Sequence, residues 1–399
     1  MRDMVLPESV KKIIELLNQS GHRADVVGGC VRDFLLGDIP NDYDITTSAT
    51  PDEMKSVFKD YRTIETGIKH GTLSVMIDST HYEITTYRLD GDYKDHRHPD
   101  SVSFSKRIED DLSRRDFTMN AMAYSETYGL TDLFDGKNDV ENKIIRAVGD
   151  PGQRFDEDAL RILRAIRFSA KLGFSIDEDT ARAAREKRKL LSFVSGERIY
   201  TEWKKLLESE HAYSVIKDYK DIIAEFLLPG EKIVLTGEKQ FFIGTVTLRQ
   251  LSLVMLSSHN PLDAFKTLSA RLHFDNETKK EGIALIENYN KVSFDNEINL
   301  KYALKTLGKK HTEAMIKLKI MHCELDESAY RLFERVIESN EAYSVSMLNI
   351  CGNDLLQLGI RGKMIGDMLN DVLDLVISGK ISNDKKTILD YVKFFTGKE

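Results

Sequence analysis

The sequence predicts an α+β protein: an N-terminal α/β portion built on a small mixed sheet, followed by a remainder that is all helical. Three observations carry this expectation. Between Ala24 and Tyr124, runs rich in β-branched and aromatic residues (24–27, 43–46, 72–77, 82–87 and 101–104) alternate with helical patterns such as 31–36 and 51–58. Beyond Asp150, apolar residues recur every three or four positions almost to the C-terminus, punctuated by Gly173, Gly230, Gly244, Gly308, Gly352 and Gly359. No fixed-period repeat occurs, which excludes a solenoid.

Bulk properties narrow the class further. A chain of 399 residues that is 41% hydrophobic and 31% charged has enough apolar surface for a core and more than one domain. Its net charge of −8 excludes a broadly basic surface, so any contact with nucleic acid has to be local. Basic clusters do occur, at Lys106-Arg107, Arg114-Arg115, Arg161 to Arg167, Arg182 to Lys189, Lys309 to His311 and Lys385-Lys386. The three cysteines, Cys30, Cys323 and Cys351, are too scattered for a disulfide framework or a thiolate zinc site. The first residues lack a basic and then apolar signal pattern, and no apolar run is long enough to span a bilayer; a cytoplasmic location without membrane contact is expected.

The chemistry begins at Val26-Val27-Gly28-Gly29-Cys30-Val31-Arg32, which reads as a strand, a glycine turn and a helix start. Backbone N–H groups at such a turn can approach phosphates, aided by the helix dipole. About a dozen residues later, Asp42 and Asp44 stand at i and i+2, on one face if the segment is a strand. Two adjacent like charges ask for a cation, and two hard carboxylates suit Mg²⁺. Arg115 is a fixed positive charge suited to a triphosphate, and Arg32, one helical turn past the glycines, can reach the same group. Asp158 and Arg161, three apart on an expected helix, offer acceptors and donors together. Arg164 and Arg167 continue that ridge, with Arg167 turned enough to serve phosphate or packing instead. Glu83, on a strand-like run, is a candidate third carboxylate and is left open; His70 reads as a structural imidazole.

In order along the chain, the segment from Val27 to Thr46, Arg114-Arg115-Asp116-Phe117-Thr118-Met119-Asn120-Ala121, and the segment from Glu157 to Phe168 resemble class II CCA-adding enzymes and bacterial poly(A) polymerases of the polymerase β nucleotidyltransferase superfamily. Residues 135–146 resemble the family's hinge motif, and Ser195-Gly196-Glu197-Arg198 its last motif. The resemblance implies a nucleotidyltransferase head at 1–145, a helical neck at 146–205, a body at 206–310 and a tRNA-binding tail at 311–399. It implies that Asp42 and Asp44 are catalytic and hold Mg²⁺, that Gly29, Arg32, Arg115, Asp158, Arg161, Arg164 and Arg167 bind nucleotide, and that Asp158 with Arg161 selects the base. CTP, ATP and the 3′ acceptor end of tRNA are the implied partners, with no obligatory protein partner. The polar stretch 90–99 resembles the loop of full CCA-adding enzymes, and the C-terminal half lacks the His-Asp dipeptide of a phosphohydrolase module. Poly(A) synthesis and partial CC or A addition are the alternatives. The tail motif at 352–366 has glycine turns that open helices toward RNA phosphates.

Overall fold

The β-branched run after Arg23 becomes an interior strand, β1 (Ala24–Val27), buried along its whole length. The computed structural model describes residues 4–91 and 102–397. Its further strands are β2 (Ile45–Thr47), β3 (Arg62–Ile64), β4 (Thr72–Ile77), β5 (Thr80–Thr86), β6 (Arg88–Asp90), β7 (Val102–Phe104), β8 (Met122–Ser125), β9 (Gly129–Asp132), β10 (Ile144–Ile145) and β11 (Ser175–Ile176). Seven of them form a mixed sheet in the order β3-β4-β5-β2-β1-β8-β9. Only β2 and β5 are parallel in that sheet, with Ile45 opposite Ile84; the antiparallel neighbours include β1 with β2 and β1 with β8.

Local chemistry explains the elements around the sheet. The amphipathic helix Glu8–Gln19 lays Val10, Ile13, Ile14 and Leu17 into the core against β1. Helix Gly29–Leu36 starts directly from β1 through Gly28, whose φ of 82° and ψ of −126° lie outside the range of ordinary side chains. Thr50 opens helix Pro51–Val57 with a capping box: Glu53 N–H donates to the Thr50 hydroxyl while Thr50 N–H donates to the Glu53 carboxylate.

The chain divides into two compact units, Met1–Gly230 and Glu231–Glu399. In the first, the sheet is followed by helices Pro151–Glu157, Leu160–Leu172, Glu178–Lys187 and Gly196–Glu208. Helix Leu160–Leu172 packs on Gly196–Glu208 and stops at Gly173 in a left-handed conformation. Among its described residues the second unit contains helices and no strands. Its longest element, Glu297–Met321, is broken at Gly308, with φ 72° and ψ 166°. Near its C-terminus Leu355, Val372, Leu373, Ile388 and Val392 form a local apolar core. Among the described residues no helix is long and apolar enough to cross a membrane.

Three local differences from the sequence reading matter. Strand β2 begins at Ile45, so Asp42 and Asp44 lie in the extended approach to it rather than on it. The hairpin of β8 and β9 was not expected, because Met122-Ala123-Tyr124-Ser125 lacks the β-branched signature; burial against β1 makes it a strand. The helical part is interrupted by β11, which pairs in parallel with β10. Most of the loop expected at 90–99 lies outside the described residues.

A buried carboxylate ties the sheet together. Asp25, fully buried on β1, accepts hydrogen bonds from Arg23 Nε at 2.8 Å, the Tyr87 hydroxyl at 3.1 Å and the Ser125 hydroxyl at 2.9 Å. Removing it leaves two hydroxyls without this acceptor and Arg23 with Thr131 alone. Asp25→Ala is therefore expected to lower stability by about 3 kcal/mol, read from urea unfolding followed by circular dichroism.

Candidate active site

The glycine turn, the Asp42/Asp44 segment and Arg115 converge at one end of the sheet. The N–H of Val27 donates to the carbonyl of Asp44 at 2.9 Å, which extends the β1/β2 ladder and holds Asp44 beside the turn. Arg115 lies on the other side. A Cβ at Gly28 would stand 3.1 Å from Arg115 Nη1, so the absence of a side chain lets the guanidinium approach the turn. Extending the β2/β5 register back by one residue sets Asp44 next to Glu83.

The charges there are unevenly matched. The Asp44 side chain is open to solvent on one side, yet enough protein surrounds the carboxyl that desolvation is the leading cause of a rise above its ordinary value. The charge of Asp42 pushes it up further, Arg115 opposes the rise, and Glu83 adds to it. Among the described residues no three His, Cys, Asp or Glu stand in position to enclose a metal ion. Asp42 and Asp44 offer two hard carboxylates, with Glu83 at electrostatic range. That suits an ion which takes its remaining oxygens from a phosphate and from water, the usual habit of Mg²⁺.

Behind this face lies a chain of satisfied charges. Asp111, fully buried, accepts from Arg114 Nη2 at 2.6 Å and Arg115 Nη2 at 3.0 Å, and the Thr46 hydroxyl donates to it at 3.3 Å. Burial opposes its ionisation, but the two guanidiniums, Arg115 first, hold its carboxyl below the ordinary value. Asp116 is likewise desolvated, and Arg164 nevertheless brings it down to about 2, donating through Nε at 2.9 Å and Nη2 at 2.6 Å. Arg32 is buried, donating from Nη1 to Asn120 Oδ1 at 2.7 Å and from Nη2 to Asp33 at 2.6 Å. Its Nη2 lies 3.6 Å from a Cβ built on Gly29.

The expected base-reading pair is arranged differently from its spacing. Asp158 is not in helix Leu160–Leu172; it ends helix Pro151–Glu157 in an extended conformation, and its Oδ1 accepts the N–H of Leu160 at 3.1 Å. Its Oδ2 accepts from Arg198 Nη2 at 2.8 Å. Arg161 donates to Glu157 at 2.6 Å and to the carbonyls of Arg154 and Arg114 at 3.1 and 2.8 Å. The two residues border one helix junction but each is bonded to other partners. Arg167 is buried, paired with Glu202, and its guanidinium lies 3.7 Å from the Phe168 ring centroid. Asp111, Asn120, Glu157, Arg198 and Glu202 were not singled out from the sequence. Asn120, Glu157 and Arg198 stood inside the family motifs, but the motifs do not show which group each side chain meets.

A mixed sheet carrying a glycine turn, a carboxylate pair beside it and guanidiniums facing both defines a nucleotidyltransferase head. Comparison with known proteins agrees: the family described as the poly A polymerase head domain matches residues 24–146, and that described as the probable RNA and SrmB-binding site of polymerase A matches 173–230. The CCA-adding enzyme of Oceanobacillus iheyensis is 36% identical, the match covering 95% of each chain. That of Bacillus subtilis is 34% identical over 96% of each. The crystal structure of the Bacillus stearothermophilus CCA-adding enzyme in complex with CTP superposes with a TM-score of 0.77 at 29% identity, covering 98% of both chains. The chain belongs to the CCA-adding enzymes.

Two outcomes follow from the site. Asp44 has a folded pKa above its unfolded value, so its ionised form costs stability at neutral pH, and the cost disappears once both states are protonated. Metal-free Asp44→Asn is expected to melt above the parent protein at pH 7, with the difference vanishing below about pH 4. Gly28→Ala strains a φ of 82° and crowds Arg115; a loss of about 1–3 kcal/mol in thermal stability and weaker CTP binding by calorimetry are expected.

Proposed function

We propose that this chain adds C, C and A to the 3′ end of tRNA from CTP and ATP, without a nucleic-acid template and with release of pyrophosphate. The observation that carries the reading is the position of Arg115, against Gly28 on one side and acting on Asp44 on the other. A triphosphate laid on the glycine turn meets the guanidinium while its α-phosphate faces the carboxylates. Near full-length similarity to CCA-adding enzymes supports the product, as does the relative solved with CTP.

Within this reading Asp42 and Asp44 hold Mg²⁺, with Glu83 contributing charge from the neighbouring strand. Held there, Mg²⁺ would supply Lewis acidity to the attacking 3′-hydroxyl and offset charge on the triphosphate. Gly29 presents its backbone N–H to the phosphates, that of Gly28 being donated to the Met122 carbonyl at 3.1 Å; Arg115 grips the phosphates, and Arg32 braces the helix start from below. Asp158 accepts the exocyclic amine that cytosine and adenine share and uracil and guanine lack at that position; Arg161 donates to the adjacent ring nitrogen. Arg164, through Asp116, keeps the helix bearing Arg161 against the head. We assign the head to residues 1–145, the neck to 146–205, the body to 206–310 and the tRNA-binding tail to 311–399, and place the reaction in the cytoplasm, where tRNA is matured and repaired.

The test uses tRNA transcripts lacking their last three, two or one nucleotides, supplied with CTP, ATP or both, and sizes the products. Growth stopping at the completed CCA supports the reading; a long A tail, or arrest after CC with ATP present, overturns it. Asp42→Ala is expected to abolish incorporation by at least about a thousandfold while leaving circular dichroism unchanged.

A further inference from the structure

Asn120 stands between the phosphate side of the site and the helix that carries the base-selecting end, and it contacts both. Its Oδ1 accepts from Arg32 Nη1 at 2.7 Å, and its Nδ2 donates to Asp116 Oδ1 at 3.2 Å. Asp116 in turn holds Arg164 of helix Leu160–Leu172, and the carbonyl of Arg114, two residues earlier, accepts from Arg161 at the start of that helix. The backbone carbonyl of Asn120 also lies 3.8 Å from a Cβ built on Gly28. Asn120 and Arg32 are both buried, so water does not substitute freely for either bond.

The side-chain type is matched to the position. A guanidinium only donates and an ionised carboxylate only accepts, so a group joining them must offer one acceptor and one donor in fixed directions, as an amide does. The amide orientation follows from the charges of its two neighbours. An aspartate here keeps the acceptor for Arg32 but turns a negative charge toward Asp116. An alanine removes both bonds.

From this geometry we infer that Asn120 is a positioning residue that couples triphosphate binding at the glycine turn to base selection at the Asp158/Arg161 junction. The nucleotide's two ends are then sensed by one connected hydrogen-bond chain rather than by two independent subsites. Helix Leu160–Leu172, held on Asp116 by Arg164, carries Arg161 to the base, and Asn120 ties that position to Arg32 and the phosphate turn. The inference rests on the reading of the site given above.

The test is steady-state kinetics on tRNA lacking its last three nucleotides, with CTP and separately with UTP. For Asn120→Asp, the KM for CTP is expected to stay within about threefold of the parent while CTP-over-UTP discrimination in kcat/KM falls roughly tenfold, the worth of one charge-assisted bond. For Asn120→Ala, both CTP affinity and discrimination are expected to fall. Residues that merely support the fold reduce the active fraction, lowering kcat without splitting KM from discrimination. Parallel losses in Asn120→Asp, or no change in discrimination, overturn the coupling. Should Asn120→Asp fail to fold by circular dichroism, unchanged discrimination in Asn120→Ala overturns it instead. A parent protein that incorporates no CMP overturns the functional reading and this inference with it.

Discussion

Asp111 is the charge on which the site depends. It is fully buried, within helix Ile108–Ser113, and it receives Arg114, Arg115 and the hydroxyl of Thr46 on β2, the strand that Asp42 and Asp44 lead into. A lone carboxylate in that place would be costly; two guanidiniums and a hydroxyl offset the desolvation and fix three pieces of chain at once. The consequence is directional. Arg115, anchored from behind, presents its remaining edge to the glycine turn, and its Nε is buried with no hydrogen-bond partner among the described residues.

Three consecutive residues then reach three regions. Arg114 lends its carbonyl to Arg161, Arg115 faces Gly28 and Asp44, and Asp116 binds Arg164 and Asn120. Such a segment transmits position well because its groups are held in buried, charge-assisted bonds, which tolerate little displacement. The contrast with Asp44 is instructive. The supporting carboxylates Asp111 and Asp116 are held below their ordinary values by arginines, whereas Asp44 is raised, its local repulsion unrelieved by the protein alone. The carboxylates behind are stabilised by the fold, and the face that carries Asp42 and Asp44 is left with unbalanced negative charge.

What the sequence disclosed follows the range of the interaction. Gly28, the strand before it and the Asp-x-Asp spacing are local, so a turn, a strand and a carboxylate pair were legible from neighbouring residues. The sheet order was not, because the parallel pairing of Ile45 with Ile84 joins residues distant in sequence. Asp158 and Arg161 show how a local rule misleads. The i to i+3 neighbour rule holds only within an unbroken helix, and Asp158 breaks this one by capping it: one of its oxygens accepts the N–H of Leu160. The partners of Asn120, Glu202 and Arg198 were not legible for a related reason. Each side chain acts on a partner between 4 and 88 positions away in sequence, and nothing in its own type marks that partner.

The same bookkeeping of partners reconciles an acidic chain with an RNA substrate. The basic cluster from Arg182 to Lys189, conspicuous in the sequence, is largely neutralised: Arg182 pairs with Asp179, Arg185 with Asp221, Lys187 with Asp156 and Arg188 with Glu225. Cations already bound to carboxylates release fewer counterions from a phosphate backbone, so they add little indiscriminate affinity. In the function proposed above, attraction to phosphate is concentrated at Arg115, a guanidinium supported from behind by Asp111 and set against the glycine turn. An enzyme that acts on one end of one folded RNA gains from that distribution, because a uniformly basic surface would bind nucleic acid along its length and hold the reacting end no better.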